Sequence, residues 1–182
     1  GTSDGAAAEF EWEPKFTFHG FRYVELTGVS EKVSLETITG IVLHSDMSRT
    51  GEFESSSGPL NQLFHNIVWG QKGNYLEVPT DCPQRDERLG WTGDAQFFVN
   101  TGAYNFDVAA FFTKWLVDLI DGSQFEDGSF ADVAPDILGA HGNTAWQDAA
   151  PVCTYTIYKV YGDTRIIERH WDHLTKYMDY LR

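Results

Sequence analysis

Residues 78–96 read VPTDCPQRDERLGWTGDAQ, and the fourteen positions from Asp81 to Asp94 hold four acids, two arginines and a tryptophan. On a solvated helix, acids and bases recur three and four positions apart and prolines are absent. Here Pro79 and Pro83 bar a regular helix through the first third, and Gly90 and Gly93 weaken one through the last. The segment predicts a shaped, highly charged loop between two helices.

Working outward, the sequence changes period near residue 50. Before it, FTFHGFRYVEL (16–26) and VSLETITGIVLH (33–44) are rich in Phe, Tyr, Val, Ile and Thr, partly alternating, and read as strands with Gly20 and Gly40 at bulges. SDMSRTGEFESSSG (45–58) is polar and runs into Pro59, as a linker entering a helix does. Five helices follow, over 59–74, 93–106, 107–122, 145–162 and 163–182, each with apolar residues three and four apart. The third is apolar on nearly every side and predicts a helix buried among neighbours. The fifth predicts an inward stripe of Ile167, His170, Trp171, Leu174, Tyr177, Met178 and Leu181. Trp69, Trp115 and Trp171 are expected in the core. Residues 123–144 form a long loop, of a length that is usually functional or mobile.

Composition excludes several functions. Thirteen basic against twenty-seven acidic side chains give a net charge of −14, which argues against nucleic acid or anionic membrane as a partner. With 42% hydrophobic and 15% aromatic residues, 182 positions can bury a sizeable core. No apolar run approaches the roughly 20 residues of a membrane span, and the N-terminal stretch has no export signal, so a cytoplasmic chain is the expectation. Cys82 and Cys153 lie far apart without a CxxC and read as small buried hydrophobes. His170 and His173 have metal-ligand spacing, but His170 falls on the apolar stripe and no third ligand stands out. No metal or cofactor is expected, and His19 and His141 have no assignable role.

TDCPQRDERLGWTGDAQ, with FTFHGFRYVEL upstream and TAWQDAAPVCTYTIYKVYGD downstream, resembles the bacterial α-L-rhamnosidases of glycoside hydrolase family seventy-eight. The resemblance runs from about Trp12 onward. It implies a mainly α fold: residues 1–48 as the end of a β-sandwich module, 49–58 as a linker, and 59–182 as the first half of an (α/α)6 toroid catalytic domain. It also implies inverting hydrolysis of terminal α-L-rhamnose, with a rhamnose-containing glycoside as partner.

An inverting glycosidase needs a protonated carboxylic acid at the leaving oxygen and a carboxylate that activates water from the opposite face. The resemblance assigns the acid to Glu87. It assigns Asp81 and Arg85 to sugar hydroxyls, Trp91 and Trp146 to the apolar faces of the sugar, and Asp94 and Asp148 to further acids of the site. Each has a plainer alternative: a salt-bridged loop acid for Glu87, a turn cap for Asp81, core packing for the tryptophans. The family's general base lies beyond the matched residues, and the spacing of Asp132, Asp136 and Asp148 recommends none of them as a substitute. The chain therefore reads as part of a full enzyme, with apolar faces open to self-association. A short homologue that binds sugar without cleaving it, or a structural remnant, are the other readings.

Overall fold

The computed structural model describes residues 11–29 and 33–182. Pro59 lies in the first turn of α1 (Gly58–Asn74), where a missing N–H costs nothing. The turn before it is tied by Asn61, whose side chain accepts from Ser55 N–H at 2.9 Å and donates to Ser55 C=O at 2.9 Å. A two-residue antiparallel ribbon follows, β1 (Tyr75–Leu76) and β2 (Val78–Pro79), turning at Glu77 with φ of +65°. After the charged loop come α2 (Thr92–Asn105), α3 (Ala109–Leu116), α4 (Ala149–Tyr161) and α5 (Arg165–Tyr180).

α3 continues into a wider π turn, Val117–Asp121, closed by Gly122 N–H on Val117 C=O. α4 packs against α2, α3 and α5, so it is the central helix of the layer. Ala149, Ala150, Cys153 and Ile157 meet Phe112, Trp115, Leu116 and Ile120 in one apolar core. Small residues on α4 let its neighbours approach closely. Tyr75 closes the core on the α1 side, stacking on Phe111 with ring centroids 4.5 Å apart. α1 and α2 are also joined by a buried polar bridge. Gln71 Nε2 donates to Gly102 C=O at 3.1 Å, and its Oε1 accepts from Asn105 Nδ2 at 3.0 Å.

The five helices fall where the apolar periodicity places them, and 123–144 is a loop, but a packed one. Ser129, Phe130, Ala131, Asp132, Val133 and Ala134 are all buried. His141 acquires a role here: its Nδ1 lies 2.8 Å from Ser129 Oγ, which donates to Asp127 at 2.6 Å, and its ring stacks on Phe125.

Four expectations need correction. The stretches 16–26 and 33–44 form no strand among the described residues; they are exposed, extended chain with one short 3-10 turn at Leu35–Thr37. An alternating segment becomes a strand only when another backbone pairs with it, and no described residue does so. The paired strands lie instead at 75–79, within the helical part. Trp69 and Trp171 are 46% and 60% exposed, while Trp115 is fully buried as expected. On α5 the buried face is centred on Ile166, His170 and Tyr177, and Met178 and Leu181 face outward, because α4 and the 123–130 loop cover one side only. Cys153 is buried, but Cys82 is half-buried within the charged loop.

Candidate active site

The charged loop is held at both ends. Thr80 N–H and Oγ1 both donate to Asn74 C=O, at 2.8 and 2.7 Å. Asp81 and Leu89 then close a ring: Asp81 N–H donates to Leu89 C=O, and Leu89 N–H to Asp81 Oδ1, each at 3.2 Å. Asp81 is thus a turn cap whose second oxygen makes no bond to this ring. Beyond it, Gly90 lies so close to the 130–134 segment that a Cβ would sit 2.2 Å from Ala134 C=O. Ala134 N–H donates to Gly90 C=O at 2.9 Å, and Trp91 pairs with Val133.

Within this frame both oxygens of Glu87 are occupied. Trp91 Nε1–H donates to Oε1 at 3.1 Å, and the Arg85 guanidinium pairs with Oε2. Carboxylate oxygens of Asp81 and Glu87 and the Cys82 sulfur lie within 4.8 Å of one another. The Cys82 thiol is pushed up by its hydrogen bond to Asp81. The Asp94 carboxyl is also raised, first by burial against the site wall and further by the charges of Asp81 and Glu87. Asp94 is nevertheless open to solvent by area, so the effect is a partial desolvation.

A concavity of about 580 Å³ opens between α1 and α2. Asp81, Asp94 and Trp146 line it together, although 65 positions separate the first from the last. Trp146 lies across Gly93, where a Cβ would be 3.0 Å from the indole. Glu87 stands next to Asp81 at the side of this space. Glu87, Arg85, with its side chain 62% exposed, and Trp91 are not among its lining residues; Glu87 adjoins the concavity through Asp81, and Arg85 and Trp91 are bonded to Glu87. Asp148 is elsewhere: it borders a neighbouring groove, accepts from Ala145 N–H at 3.0 Å, and takes the Tyr177 hydroxyl on its other oxygen. That bond and burial together push the Tyr177 hydroxyl far above its usual range, burial being the larger cause.

Asp81, Cys82 and Glu87 could also reach one cation, but Arg85 already neutralises Glu87, and only Asp81 of the three lines the concavity. Sequence reasoning missed the wall formed by Ile67, Gln71, Asn74, Tyr75, Phe97 and Phe98. A signal exists for part of it. Ile67, Gly70, Gln71 and Asn74 share one face of α1, and two amides on an otherwise apolar stripe mark a place where that stripe stops being core.

Packed helices thus flank a concavity that two acids and an indole line, and the match to a 6 hairpin glycosidase domain gives the class to which this arrangement belongs. The chain belongs to the bacterial α-L-rhamnosidase family: residues 48–182 match its 6 hairpin glycosidase domain and residues 2–44 its concanavalin-like domain. Among its relatives, an α-L-rhamnosidase of Streptomyces avermitilis is 52% identical over 161 residues, which is 87% of this chain and 15% of the relative. The crystal structure of the Streptomyces avermitilis α-L-rhamnosidase complexed with L-rhamnose superposes with a TM-score of 0.89 at 48% identity, covering 93% of this chain and 16% of that one. The α-L-rhamnosidase from Dictyoglumus thermophilum superposes with a TM-score of 0.90 at 43% identity, covering 93% and 19%. The chain therefore spans less than a fifth of the length of each. No helix among the described residues is long and apolar enough to cross a membrane.

Proposed function

We propose that the protein carrying this chain is an inverting α-L-rhamnosidase in which Glu87 protonates the departing glycosidic oxygen. The observation that carries the reading is the meeting of Asp81, Asp94 and Trp146 in one concavity with Glu87 beside them. A deoxyhexose presents hydroxyls on some faces and C–H groups with a methyl on others. Charged acceptors such as Asp81 and Asp94 suit the hydroxyls, and the Trp146 indole suits the apolar face. Arg85 closes on Glu87 in the free site. A sugar hydroxyl that draws Arg85 away frees Oε2 to carry the transferable proton, while Trp91 keeps Oε1 in place.

The base is a separate matter. In an inverting pair the carboxyl groups stand about 6.5–9.5 Å apart to admit a water. Asp81 and Glu87 are closer than that and share one loop, so Asp81 fits a binding role, and we place the base outside residues 1–182. The division into a β module to about residue 48, a linker over 49–58 and the helical domain from residue 59 belongs to the same proposal; the onset of α1 at Gly58 supports it. So does self-association of the isolated chain, supported by exposed Trp69, Phe97 and Trp171.

The test is turnover of an aryl α-L-rhamnoside and a rhamnosyl disaccharide by the 182-residue chain and by the longest protein that contains it. The longer protein should release β-L-rhamnose first, read by NMR. Glu87→Gln should cut disaccharide hydrolysis by about 10²- to 10⁴-fold and the aryl substrate less, because a good leaving group needs little protonation. α-L-Rhamnose as first product would instead favour retention with Asp81 as nucleophile, the reading that the short Asp81–Glu87 separation supports. Binding of rhamnose without turnover in the longer protein would reduce the site to sugar recognition.

A further inference from the structure

We propose that Asp132 and Asn143 form a brace that aims the Trp146 indole into the concavity, so that two residues which do not touch the sugar set its affinity. The inference rests on the sugar-site reading above. It names positioning residues for the binding of the ring.

Asp132 is only 5% exposed and joins two parts of the site. Its carbonyl oxygen accepts both Thr92 N–H and Thr92 Oγ1–H at 2.9 Å, which ties it to the first turn of α2, next to Gly93 and Asp94. One of its carboxylate oxygens accepts from Asn143 Nδ2, and the other is buried without a partner among the described residues. Asn143 passes the connection on, since its carbonyl accepts the N–H groups of both Trp146 and Gln147 at 3.1 Å. The chain reverses between them at Ala145, which holds φ of +70°, a conformation a residue with a Cβ adopts at a cost. Gln96 of α2 fixes that position by donating to Ala145 C=O.

The indole is therefore set from two directions. Behind it, Asp132–Asn143 fixes the turn from which it projects. Beneath it, Gly93 leaves out the side chain that would lift the ring off α2, a Cβ there falling 3.0 Å from both Cε2 and Nε1. A turn that served folding alone could be closed by a neutral side chain. A buried carboxylate with one bare oxygen, next to a strained alanine, is a costly way to do so. Both costs fall on the few residues that decide where Trp146 points.

The experiment measures L-rhamnose binding to the full chain by calorimetric titration, with the indole N–H resonance of Trp146 followed by NMR and assigned by its loss in Trp146→Ala. Asn143→Ala, Asp132→Ala and Gly93→Ala should each weaken binding on the order of tenfold, the scale of one aromatic face removed from a ligand. Each should also shift or broaden the Trp146 resonance. Asp132→Asn keeps an oxygen for Asn143 and should retain most of the affinity. If the brace acts through Trp146, then Asn143→Ala made in Trp146→Ala should add less than about a twofold loss. Full multiplication of the two losses would overturn the brace, as would an unmoved Trp146 resonance in Asn143→Ala. Should Asn143→Ala not fold, Asp132→Asn against Gly93→Ala makes the same comparison: a loss in the first equal to that in the second overturns the proposal. Wild-type chain that binds no rhamnose, while the variants still shift the Trp146 resonance, would refute the sugar-site reading and overturn the effect on affinity, leaving only the positioning of Trp146.

Discussion

At the scale of single residues, the two tryptophans next to the acids do different work. Trp146 lines the concavity, whereas Trp91 spends its one polar atom on Glu87 Oε1 at 3.1 Å. Glu87 has three side-chain torsions, and an acid that must meet a departing oxygen loses rate when it wanders. Holding one oxygen by an N–H removes most of that freedom. Trp91→Phe keeps an aromatic ring, though a smaller one, and deletes the donor. A hydrogen bond to a charged group contributes about 1.5–3 kcal/mol, so kcat of the longer protein on a rhamnosyl disaccharide should fall roughly 10- to 100-fold with little change in KM. A variant that raised KM and spared kcat would show Trp91 to be a sugar platform instead.

At the scale of elements, the sequence is legible where local chemistry decides and opaque where a distant partner does. Pro59, the prolines and glycines of 79–93, and the left-handed Gly162 that ends α4 all act within a few residues, and the corresponding boundaries are readable. Asp148, expected among the acids of the site, borders a neighbouring groove and accepts the Tyr177 hydroxyl from 29 positions away, a partner that nothing in the nearby sequence announces. Tyr75, Phe97 and Phe98 mislead in the opposite direction, since an apolar residue lining a cavity has the same spacing as one in a core. The strands expected over 16–44 fail for want of a pairing backbone. Two glycines show how local conformation and local space separate. Gly162 has φ of +70°, so Gly162→Ala should cost about 1 kcal/mol and lower the Tm by a few degrees despite open space around it. Gly70, inside α1 with nothing within 4 Å of an added Cβ, should gain about 0.5–1 kcal/mol as Gly70→Ala. Thermal melts of the two variants should move in opposite directions.

At the scale of the whole molecule, α5 is joined to the core by a buried ionisable group. His170 is 1% exposed; its Nδ1 lies 3.1 Å from Asp121 Oδ1 at the end of the π turn, and its Nε2 is buried without a partner among the described residues. Burial lowers its pKa from the ordinary value, Asp121 opposes the shift, and the nearby charges of Arg169 and His173 add to it. The fold thus favours the neutral ring. Above the ordinary histidine value of about 6.5 neither state holds the proton, and the full stability is present. As the pH falls below that value the unfolded chain takes up a proton that the folded chain resists, so stability declines until the pH has passed through the lowered folded value. Asp94 has the opposite sign. Its raised carboxyl favours folding in the acid form, and that contribution is lost as pH rises through its folded value, which lies above the ordinary carboxylate value of 3.8. The two windows are entered from different ends. Melting temperatures measured downward from pH 7.5 should therefore begin to fall near pH 6.5 in the wild-type chain. His170→Gln keeps a donor for Asp121 and cannot gain a charge, so its curve should stay flatter over that first interval, even if its plateau is lower. Parallel curves for the two proteins would mean that the acid sensitivity arises elsewhere and that His170 is protonated in the fold as readily as in the open chain.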